Sequence, residues 1–424
     1  MGSSDEWIIS VDSHLIEPPN VWVDRLPAKY KDNGPRWISD EHGESWLFEG
    51  SKRIPVDAMS TNGAVYPPEN RAEMFRPLAW SEIPPACYGP QARIEAMNTD
   101  HEIAALCFPN MGGFAGSLFQ RAQDKELALL CIRAYNDWFL EEWVDAYPGR
   151  FIGLAMLPMW DGNLAAAEAE RAIAKGARSV SFSQAPHVVG FPPINDASWE
   201  PLFSVMNDAN LPVCTHLGTG MSPAEEDATA DWSKRMREAL QNNDLDTLAE
   251  KMQQESGNRR PMRRNMRPGT STSVIGARMG QETLMDWFDS GVLERYPSLK
   301  LVLSENGVGW IPSVLSLADW TEELNRAGDA AEEARPLPSA VFGEHVYGCF
   351  IDEPIRPKLL DEIGVEHIMI ETDFPHTATN WPHSLDRIDA CLQGISDAAR
   401  RKILRGNAER VFDFVPAEPP VPVG

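Results

Sequence analysis

Short apolar runs alternate along the chain with stretches whose apolar residues follow helical spacing. Eight of these runs are candidate buried strands, at residues 7–11, 103–108, 151–157, 179–182, 212–215, 299–304, 346–351 and 367–370. The clearest amphipathic stretches between them lie at residues 127–147, 163–176 and 281–296. Near-continuous apolar strands that alternate with helices are typical of a parallel sheet covered by helices.

Eight strand–helix units predict one α/β domain, a distorted (β/α)8 TIM barrel with insertions. Such barrels usually need about 250 residues, so a chain of 424 residues leaves room for insertions. A doubly wound open sheet is the alternative fold. It is the weaker alternative because no GxGxxG motif follows the first strand.

Three segments fall outside the repeating pattern. Residues 28–90 are rich in Pro, Gly and Trp, and residues 36–50 within them are predicted to form a small hairpin. Residues 218–275 form a long insertion after the fifth strand, acidic at first and then strongly basic. The Pro-rich residues 415–424 are expected to form a free tail, which leaves residues 1–414 as a single domain.

Charge and composition narrow the class of protein. The chain carries 63 acidic and 38 basic side chains, a formal net charge of −25, which argues against binding to nucleic acid or anionic membranes. No apolar run approaches the roughly 20 residues that span a bilayer, and the N-terminus lacks the pattern of a secretory signal. The six cysteines are scattered without CxxC spacing, so the sequence predicts a soluble, cytoplasmic protein with free thiols.

Polar side chains with metal-binding chemistry follow several of the predicted strands. In a barrel, the active site lies at the carboxyl ends of the strands. The candidates at these ends are Asp12, His14 and Glu17 after the first strand, His216 after the fifth, Glu305 and Asn306 after the sixth, and Asp373 and His376 after the eighth. Imidazole and carboxylate groups that meet at one mouth suit Zn, Mn or Fe. The sequence therefore predicts a divalent metal centre, although each residue alone could be structural, as when an aspartate caps a turn.

Motifs around these residues resemble those of one enzyme family. They are VDSHLIEPP, ARIEAMNTDHEI, YNDWF, AYPGRFIGLAMLP, LPVCTHLG, LVLSENGVGWIP, IETDFPH and GNAERVF, and they cover nearly the whole chain. The chain resembles the amidohydrolase-related (amidohydrolase-2) family, which includes aminocarboxymuconate-semialdehyde and resorcylate decarboxylases. The resemblance implies a distorted TIM barrel that often pairs as a homodimer, with metal ligands at Asp12, His14, His216 and Asp373.

The chain departs from the family pattern at three places. Its first motif is D-x-H, where the binuclear hydrolases have H-x-H, and its fourth strand offers no lysine that could bridge two metals. Glu305 stands where decarboxylases and hydrolases usually place a histidine that acts as acid or base. The result is a mouth rich in carboxylates, with Asp12, Glu305, Asp373 and Glu17 beside the histidines.

Three functional hypotheses follow from this donor set. The first, which the surplus of carboxylates favours, is a non-haem diiron monooxygenase that holds two Fe ions, uses an electron donor and hydroxylates a bulky natural-product intermediate. A minority of proteins that resemble the family are such oxygenases. The second is a mononuclear Zn or Mn decarboxylase or hydrolase, with Glu305 or His376 as the catalytic proton shuttle. The third is a barrel whose metal site no longer supports catalysis.

The long insertion and the loops suggest how a substrate is bound. Five arginines cluster in the insertion, Arg259, Arg260, Arg263, Arg264 and Arg267. Because guanidinium groups match phosphate oxygens, they predict a phosphate clamp for an acyl-CoA substrate, with a salt-bridged surface segment as the alternative. Asn306 and Trp310 join this substrate-binding set. Trp46, Trp80, Met262 and Met266 are candidates for either an apolar pocket or the core, and GGFAG at residues 112–116 is predicted to be a loop near the mouth.

Overall fold

The computed structural model describes residues 6–61, 76–221, 235, 272–328 and 335–420. The described strands are β1 (Ile8–His14), β2 (Arg36–Asp40), β3 (Gly43–Phe48), β4 (Lys52–Ile54), β5 (Glu102–Phe108), β6 (Phe151–Met156), β7 (Ala177–Phe182), β8 (Val213–His216), β9 (Leu301–Ser304), β10 (Val346–Phe350) and β11 (Ile368–Ile370). Eight of them form one sheet in the order β1-β5-β6-β7-β8-β9-β10-β11, and every neighbouring pair is parallel. These are the eight predicted strands, so the predicted barrel is confirmed.

The barrel closes between its first and last strands at the mouth. The amide of Asp373 donates to the carbonyl oxygen of Asp12 at 2.9 Å, and the amide of His14 donates to that of Phe374 at 2.7 Å. The amide of Thr372 also donates to the hydroxyl of Ser10 at 3.0 Å. These bonds join β1 to the segment that follows β11, at the mouth where the candidate ligands lie.

Helices connect the strands and cover the outside of the barrel. The described α-helices are Asn20–Arg25, Pro85–Tyr88, Pro90–Thr99, Ser117–Gln120, Lys125–Phe139, Gly162–Ala174, Glu200–Asp208, Thr272–Ser290, Val292–Arg295, Ile311–Gly328, Pro338–His345, Pro357–Ile363, Ser384–Cys391, Asp397–Arg401 and Asn407–Val411. Short 3₁₀ helices lie at Ala28–Tyr30, Ala58–Ser60, Trp80–Glu82, Ala197–Trp199 and Val365–His367, and π-helical turns lie at Leu140–Asp145 and Lys402–Gly406. The predicted helix at 127–147 is thus an α-helix that ends in a π turn.

Aspartates cap the two helices that follow the second and third barrel strands. The side chain of Asp124 accepts a hydrogen bond from the amide of Leu127, and that of Asp161 accepts from the amides of Asn163 and Leu164. Such caps satisfy amides that the helix itself leaves unpaired. The helix bounds therefore follow local polar residues as well as the apolar periodicity.

The predicted hairpin is confirmed and extended by one strand. The strands β2, β3 and β4 form an antiparallel sheet of their own. Trp46 is fully buried there and packs edge-on against Trp22 and Trp37, while Trp80 packs against Trp37. The structure thus places Trp46 in the core, which is the second of the two alternatives.

The remaining features concern termini and thiols. The amide of Ala417 donates to the carbonyl oxygen of Gly149 at 2.9 Å, so the start of the Pro-rich tail docks on the barrel rather than hanging free. All six cysteines are buried and unpaired, as predicted. No helix in the described ranges is long and apolar enough to cross a membrane.

Candidate metal centre

Four buried side chains from three strand ends meet at the mouth of the barrel. Asp12 and His14 are alternate residues of β1, so both side chains leave the strand on the same side. His216 ends β8, and Asp373 lies just beyond β11. No more than 1 % of any of these side chains is exposed. The structure therefore brings together the four ligands that the family resemblance implies.

The donor atoms of this cluster lie close to one another. Nε2 of His14 lies 3.0 Å from Oδ1 of Asp373 and 3.4 Å from Oδ1 of Asp12. Nε2 of His216 lies 3.3 Å from Oδ2 of Asp12 and 3.4 Å from Nε2 of His14. Nδ1 of His216 donates its hydrogen to the carbonyl oxygen of Leu217 at 2.8 Å, which orients the ring so that Nε2 faces the cluster.

The two aspartates lack hydrogen bonds of their own. None of their four carboxylate oxygens has a hydrogen-bond partner among the described residues, although all four are buried. Buried carboxylates without donors are costly, and a cation satisfies them. Two sets of three donor atoms, from Asp12, His14 and His216 and from His14, Asp373 and His376, each lie within 4.8 Å. Nitrogen and oxygen donors without a thiolate fit Zn, Mn or Fe, so the residues present fit a divalent metal ion.

The pKa shifts in the cluster show that burial disfavours the charged forms of Asp12 and His14, while neighbouring histidines stabilise the charge of Asp373. Burial, together with the negative charge of Asp373, raises the pKa of Asp12 well above its ordinary value. Burial also lowers the pKa of His14 well below its ordinary value, which keeps the ring neutral. Although burial acts to raise the pKa of Asp373, the neighbouring His376 and His14 lower it. Neutral imidazoles and ionised carboxylates are the forms that a metal ion binds.

Glu305 and His376 lie on the open side of the same cluster. Oε2 of Glu305 lies 3.7 Å from Nε2 of His216, and 24 % of its side chain is exposed. Nδ1 of His376 lies 3.0 Å from Oδ1 of Asp373, 15 % of its side chain is exposed, and its ring stacks on that of His14 with centroids 3.5 Å apart. Burial and the charge of Asp373 raise the pKa of Glu305 to about 8. These two side chains are therefore more exposed than the four buried ones of the cluster.

Two of these residues have backbone conformations that side chains rarely adopt. The φ angles of Glu305 and Asp373 are +57° and +53°, in the left-handed region. Such strained positions cluster at functional sites, where the surrounding structure holds them in place. The helix Thr272–Ser290 approaches Glu305 so closely that a Cβ atom at Gly276 would lie 2.6 Å from its carbonyl oxygen. This close approach requires glycine at position 276.

Sequence reasoning missed a further buried carboxylate, Glu371. Its Oε2 accepts a hydrogen bond from the amide of Glu305 at 3.1 Å. Burial, with the charge of Asp12, raises its pKa well above the ordinary value. The signal was present in IETDFPH, because Glu371 directly follows the last barrel strand, where barrel active sites lie. Glu371 therefore adds a fourth carboxylate to the mouth and fixes the backbone of Glu305.

The structure does not bring Glu17 into the metal cluster. Its side chain is fully buried, but its carboxylate accepts hydrogen bonds from the amides of Asn110 and Met111 at 3.1 and 2.9 Å. Burial raises the pKa of Glu17 to about 7, although the hydrogen bonds from these amides act to lower it. Glu17 therefore holds the loop that follows β5 instead of contributing to either set of donors.

The predicted substrate-binding residues fall into two groups. Asn306 lies near the mouth, where its amide nitrogen donates to the carbonyl oxygen of Gly276 and its oxygen accepts from the side chain of Gln184. The indole of Trp310 donates to the carbonyl oxygens of Asn306 and Gly307. Both residues thus hold the loop after β9. The five arginines at 259–267, with Met262 and Met266, lie outside the described residues.

A second residue that sequence reasoning missed, Arg93, lies beneath the cluster. It is fully buried, and its guanidinium group donates to the carbonyl oxygens of Ala86, His14 and Phe374. The same group lies 4.6 Å from the centre of the Phe374 ring. Arg93 thereby ties the end of β1 to the segment that carries Asp373.

Comparisons with known proteins identify the family. Residues 40–414 match the amidohydrolase family model Amidohydro_2. Because the match covers most of the chain, this protein belongs to that amidohydrolase family, as the motifs predicted.

Individual proteins agree with this assignment. A gamma-resorcylate decarboxylase of Polaromonas sp. is 27 % identical over 305 residues, which cover 69 % of this chain and 79 % of the relative. An amidohydrolase structure from Mycobacterium avium subsp. paratuberculosis has a TM-score of 0.69 at 22 % identity, covering 97 % of this chain and 100 % of that one. A manganese-bound 5-carboxyvanillate decarboxylase from Novosphingobium aromaticivorans has a TM-score of 0.60 at 16 % identity, covering 98 % and 99 %. These structural matches support the fold.

Proposed function

We propose that this protein is a metal-dependent decarboxylase that removes the carboxyl group from a small aromatic acid. The observation that carries this proposal is the buried cluster of Asp12, His14, His216 and Asp373, with Glu305 and His376 on its open side. The relatives support the choice, because one is named a gamma-resorcylate decarboxylase and another is a carboxyvanillate decarboxylase with manganese. The comparisons thus favour the second of the three hypotheses over the diiron monooxygenase.

The two layers of the site have different tasks in this proposal. Asp12, His14, His216 and Asp373 hold a divalent ion, with manganese or zinc as the candidates. A bound divalent ion supplies a Lewis acid that attracts the substrate carboxylate. The rigid strand ends fix the position of the substrate, which is a large part of the catalytic effect in such sites.

The proton transfer is assigned to Glu305. When the bond between the ring and the carboxyl group breaks, its electron pair stays on the ring carbon and CO₂ leaves. That carbon then takes a proton, which Oε2 of Glu305 is placed to give, because its side chain lies on the open side of the cluster. The same exposure lets Glu305 recover a proton from water. His376 is the alternative donor, but its Nδ1 contacts Asp373.

The proposal is tested by measuring CO₂ release from 2,6-dihydroxybenzoate and 5-carboxyvanillate by manganese-loaded protein. We expect release by the wild type and a loss of about 100-fold or more in Glu305→Gln, since proton transfer contributes that much. Glu323→Gln, an exposed carboxylate on the helix Ile311–Gly328, is the matched control. Absence of CO₂ release from both acids, with manganese bound, would contradict the proposal for these substrates.

One observation favours a second candidate, the dinuclear oxygenase. Four carboxylates lie at this mouth, from Asp12, Asp373, Glu305 and Glu371, and Glu305 replaces the expected histidine. Two iron ions per chain in protein purified without chelator, with O₂ consumption, would support it. Loss of one of those ions in Glu305→Ala would identify Glu305 as the bridge.

The finer predictions about partners stay predictions. An acyl-CoA substrate depends on the arginines at 259–267, and an electron donor is needed only by the oxygenase. The homodimer rests on the family resemblance, and the cytoplasmic location rests on the six free thiols. Comparing a free acid with its CoA thioester as substrates tests the first of these directly.

A further inference from the structure

The loop after β5 places one aromatic ring over the histidines of the metal centre. Phe114 lies in the GGFAG segment, with its ring centroid 4.1 Å from that of His216, 4.9 Å from that of His14 and 5.9 Å from that of His376. The residue is half-buried. Its ring is therefore an apolar surface directly beside the polar donors of the mouth.

The backbone of this loop is held in one conformation. The amide of Gly113 donates to the carbonyl oxygen of Asn110 at 3.0 Å, and that of Gly116 donates to Gly113 at 2.8 Å. Both glycines have positive φ angles, +76° and +72°, which other residues adopt at a cost. The hydroxyl of Ser181, on β7, donates to the carbonyl oxygen of Phe114. These contacts fix the position from which the ring of Phe114 projects.

Glu17 anchors the start of the same loop. Its two carboxylate oxygens accept hydrogen bonds from the amides of Asn110 and Met111. None of the described lysines, arginines or histidines forms an ion pair with Glu17. A fully buried carboxylate without a cation is unusual. The structure thus uses a costly group to hold the backbone four residues before Phe114.

We infer that Phe114 determines substrate specificity, because its ring forms the wall against which the flat ring of an aromatic carboxylate packs, with Glu17 as the positioning residue. The inference rests on the proposed function and adds the recognition of the ring to that of the carboxylate. Offset or edge-on packing of two aromatic rings is favourable beyond the apolar area that it buries. A saturated ring of the same size lacks that component.

A neighbouring cavity does not take this role. It is lined in part by Ala115, Gln120 and Phe191, and at about 20 Å³ it has room for roughly one water molecule. Phe191 therefore offers a matched control, an aromatic residue in a nearby loop that is half-buried but does not pack on the histidines.

The first experiment measures, by calorimetry, binding of 2,6-dihydroxybenzoate and cyclohexanecarboxylate to manganese-loaded protein in which every variant, and the reference called wild type in this experiment, carries Glu305→Gln so that the acid binds with little turnover. We expect Phe114→Leu to weaken binding of the benzoate about 3- to 10-fold, as the loss of one aromatic pair implies. Binding of the saturated acid and the manganese content should not change, and Phe114→Tyr and Phe191→Leu should bind both acids like the wild type. Equal weakening of both acids, unchanged binding, or no binding of the benzoate to wild type would overturn the inference.

The second experiment tests Glu17 by hydrogen exchange of residues 110–116, read by mass spectrometry, in Glu17→Gln. We expect faster exchange there, unchanged manganese affinity, and the same selective loss of benzoate binding as in Phe114→Leu. A fall in manganese affinity would instead make Glu17 a ligand, and unchanged exchange would remove its positioning role. If Glu17→Gln does not fold, Ser181→Ala tests the same support of Phe114 from the other side.

The two proposals fail in different ways. Selective binding of the aromatic acid without CO₂ release would overturn the decarboxylase proposal and leave the wall intact. Release of CO₂ by Phe114→Leu with unchanged affinity for the benzoate would overturn the role of Phe114 and leave the decarboxylase proposal intact.

Discussion

A buried carboxylate outside the barrel and two buried carboxylates at its mouth differ in whether the chain supplies hydrogen-bond donors to them. Glu168, on the helix Gly162–Ala174, is fully buried and accepts hydrogen bonds from Asn136, Arg133 and Arg171. The distances run from 2.7 to 3.2 Å. At the mouth, the oxygens of Asp12 and Asp373 face imidazoles and other carboxylates, with no hydrogen bonds among the described residues.

The difference separates a structural role from a binding role. Where the chain supplies its own guanidinium groups, a buried carboxylate is neutralised and ties two helices together. At the mouth, none of the described lysines or arginines pairs with Asp12 or Asp373. Among the described residues, only histidines face these two carboxylates within ion-pair distance, and a bound divalent cation would balance their remaining negative charge.

Removing Glu168, whose carboxylate has hydrogen-bond donors from the chain, should have the largest effect on stability. We expect Glu168→Ala to lower the free energy of unfolding by about 1–3 kcal/mol, because it leaves a buried amide N–H of Asn136 without an acceptor and removes the partner of two partly exposed guanidinium groups. Urea unfolding of the chelator-treated protein measures this loss, and manganese binding should not change. Glu170→Ala, an exposed carboxylate two residues away, should have almost no effect. A similarly small effect for Glu168→Ala would contradict the structural role that distinguishes Glu168 from the carboxylates at the mouth.

Removing the charge of Asp373 at the mouth should mainly affect metal binding. We expect Asp373→Asn to weaken manganese binding by on the order of 100-fold or more, since changes even to groups around ligands cost about 10- to 100-fold. Asparagine tolerates the φ angle of +53° at this position, so the backbone should be preserved. Stability without metal should change less than in Glu168→Ala, because the substitution removes both a repulsion with Asp12 and the attraction to His14 and His376 that lowers the pKa of Asp373.

Calorimetric titration with manganese measures this change. Asp361→Asn, at an exposed carboxylate, is the matched control and should bind like the wild type. Binding of manganese by Asp373→Asn with wild-type affinity would show that Asp373 is not a ligand.

Glu102 is intermediate between these two kinds of buried carboxylate. One of its oxygens accepts from the hydroxyl of Thr372 at 3.1 Å, and the other has no partner in the described ranges. Burial raises its pKa from 4.5 to about 8, although the charge of Arg93 acts in the opposite direction. Between these two values the unfolded chain releases a proton that the folded protein keeps, so the protein loses stability as pH rises through this window.

Removing that carboxyl should remove its own share of the pH dependence, to which Glu17 and Glu305 also contribute. We expect Glu102→Gln to gain at least about 1.4 kcal/mol relative to wild type on going from about pH 5 to about pH 8, the equivalent of one unit of pKa. Urea unfolding at the two pH values measures it, with the exposed Glu95→Gln as control. The same pH dependence in wild type and Glu102→Gln would contradict the assigned cause.

Most of the fold and half of the site are readable from sequence for definite physical reasons. A strand buried on both faces is a continuous apolar run, so all eight barrel strands were predicted, and residues just beyond them share one mouth. The proposed ligands His14 and His216 follow from this rule alone. Backbone partners do not, because nothing in a residue type says which amides a side chain will meet. Glu17 was therefore grouped with the ligands, and the support that Arg93 gives to two strand ends was missed.

The most direct test of the metal centre is a metal analysis of protein purified without chelator, with Asp12→Asn prepared in parallel. We expect one manganese or zinc ion per wild-type chain, a thermal unfolding midpoint that falls when a chelator removes the ion, and little metal in Asp12→Asn. Two irons per chain would favour the oxygenase. A wild-type protein that binds no divalent ion, or an Asp12→Asn protein that binds it equally well, would contradict the assignment of the mouth as a metal centre.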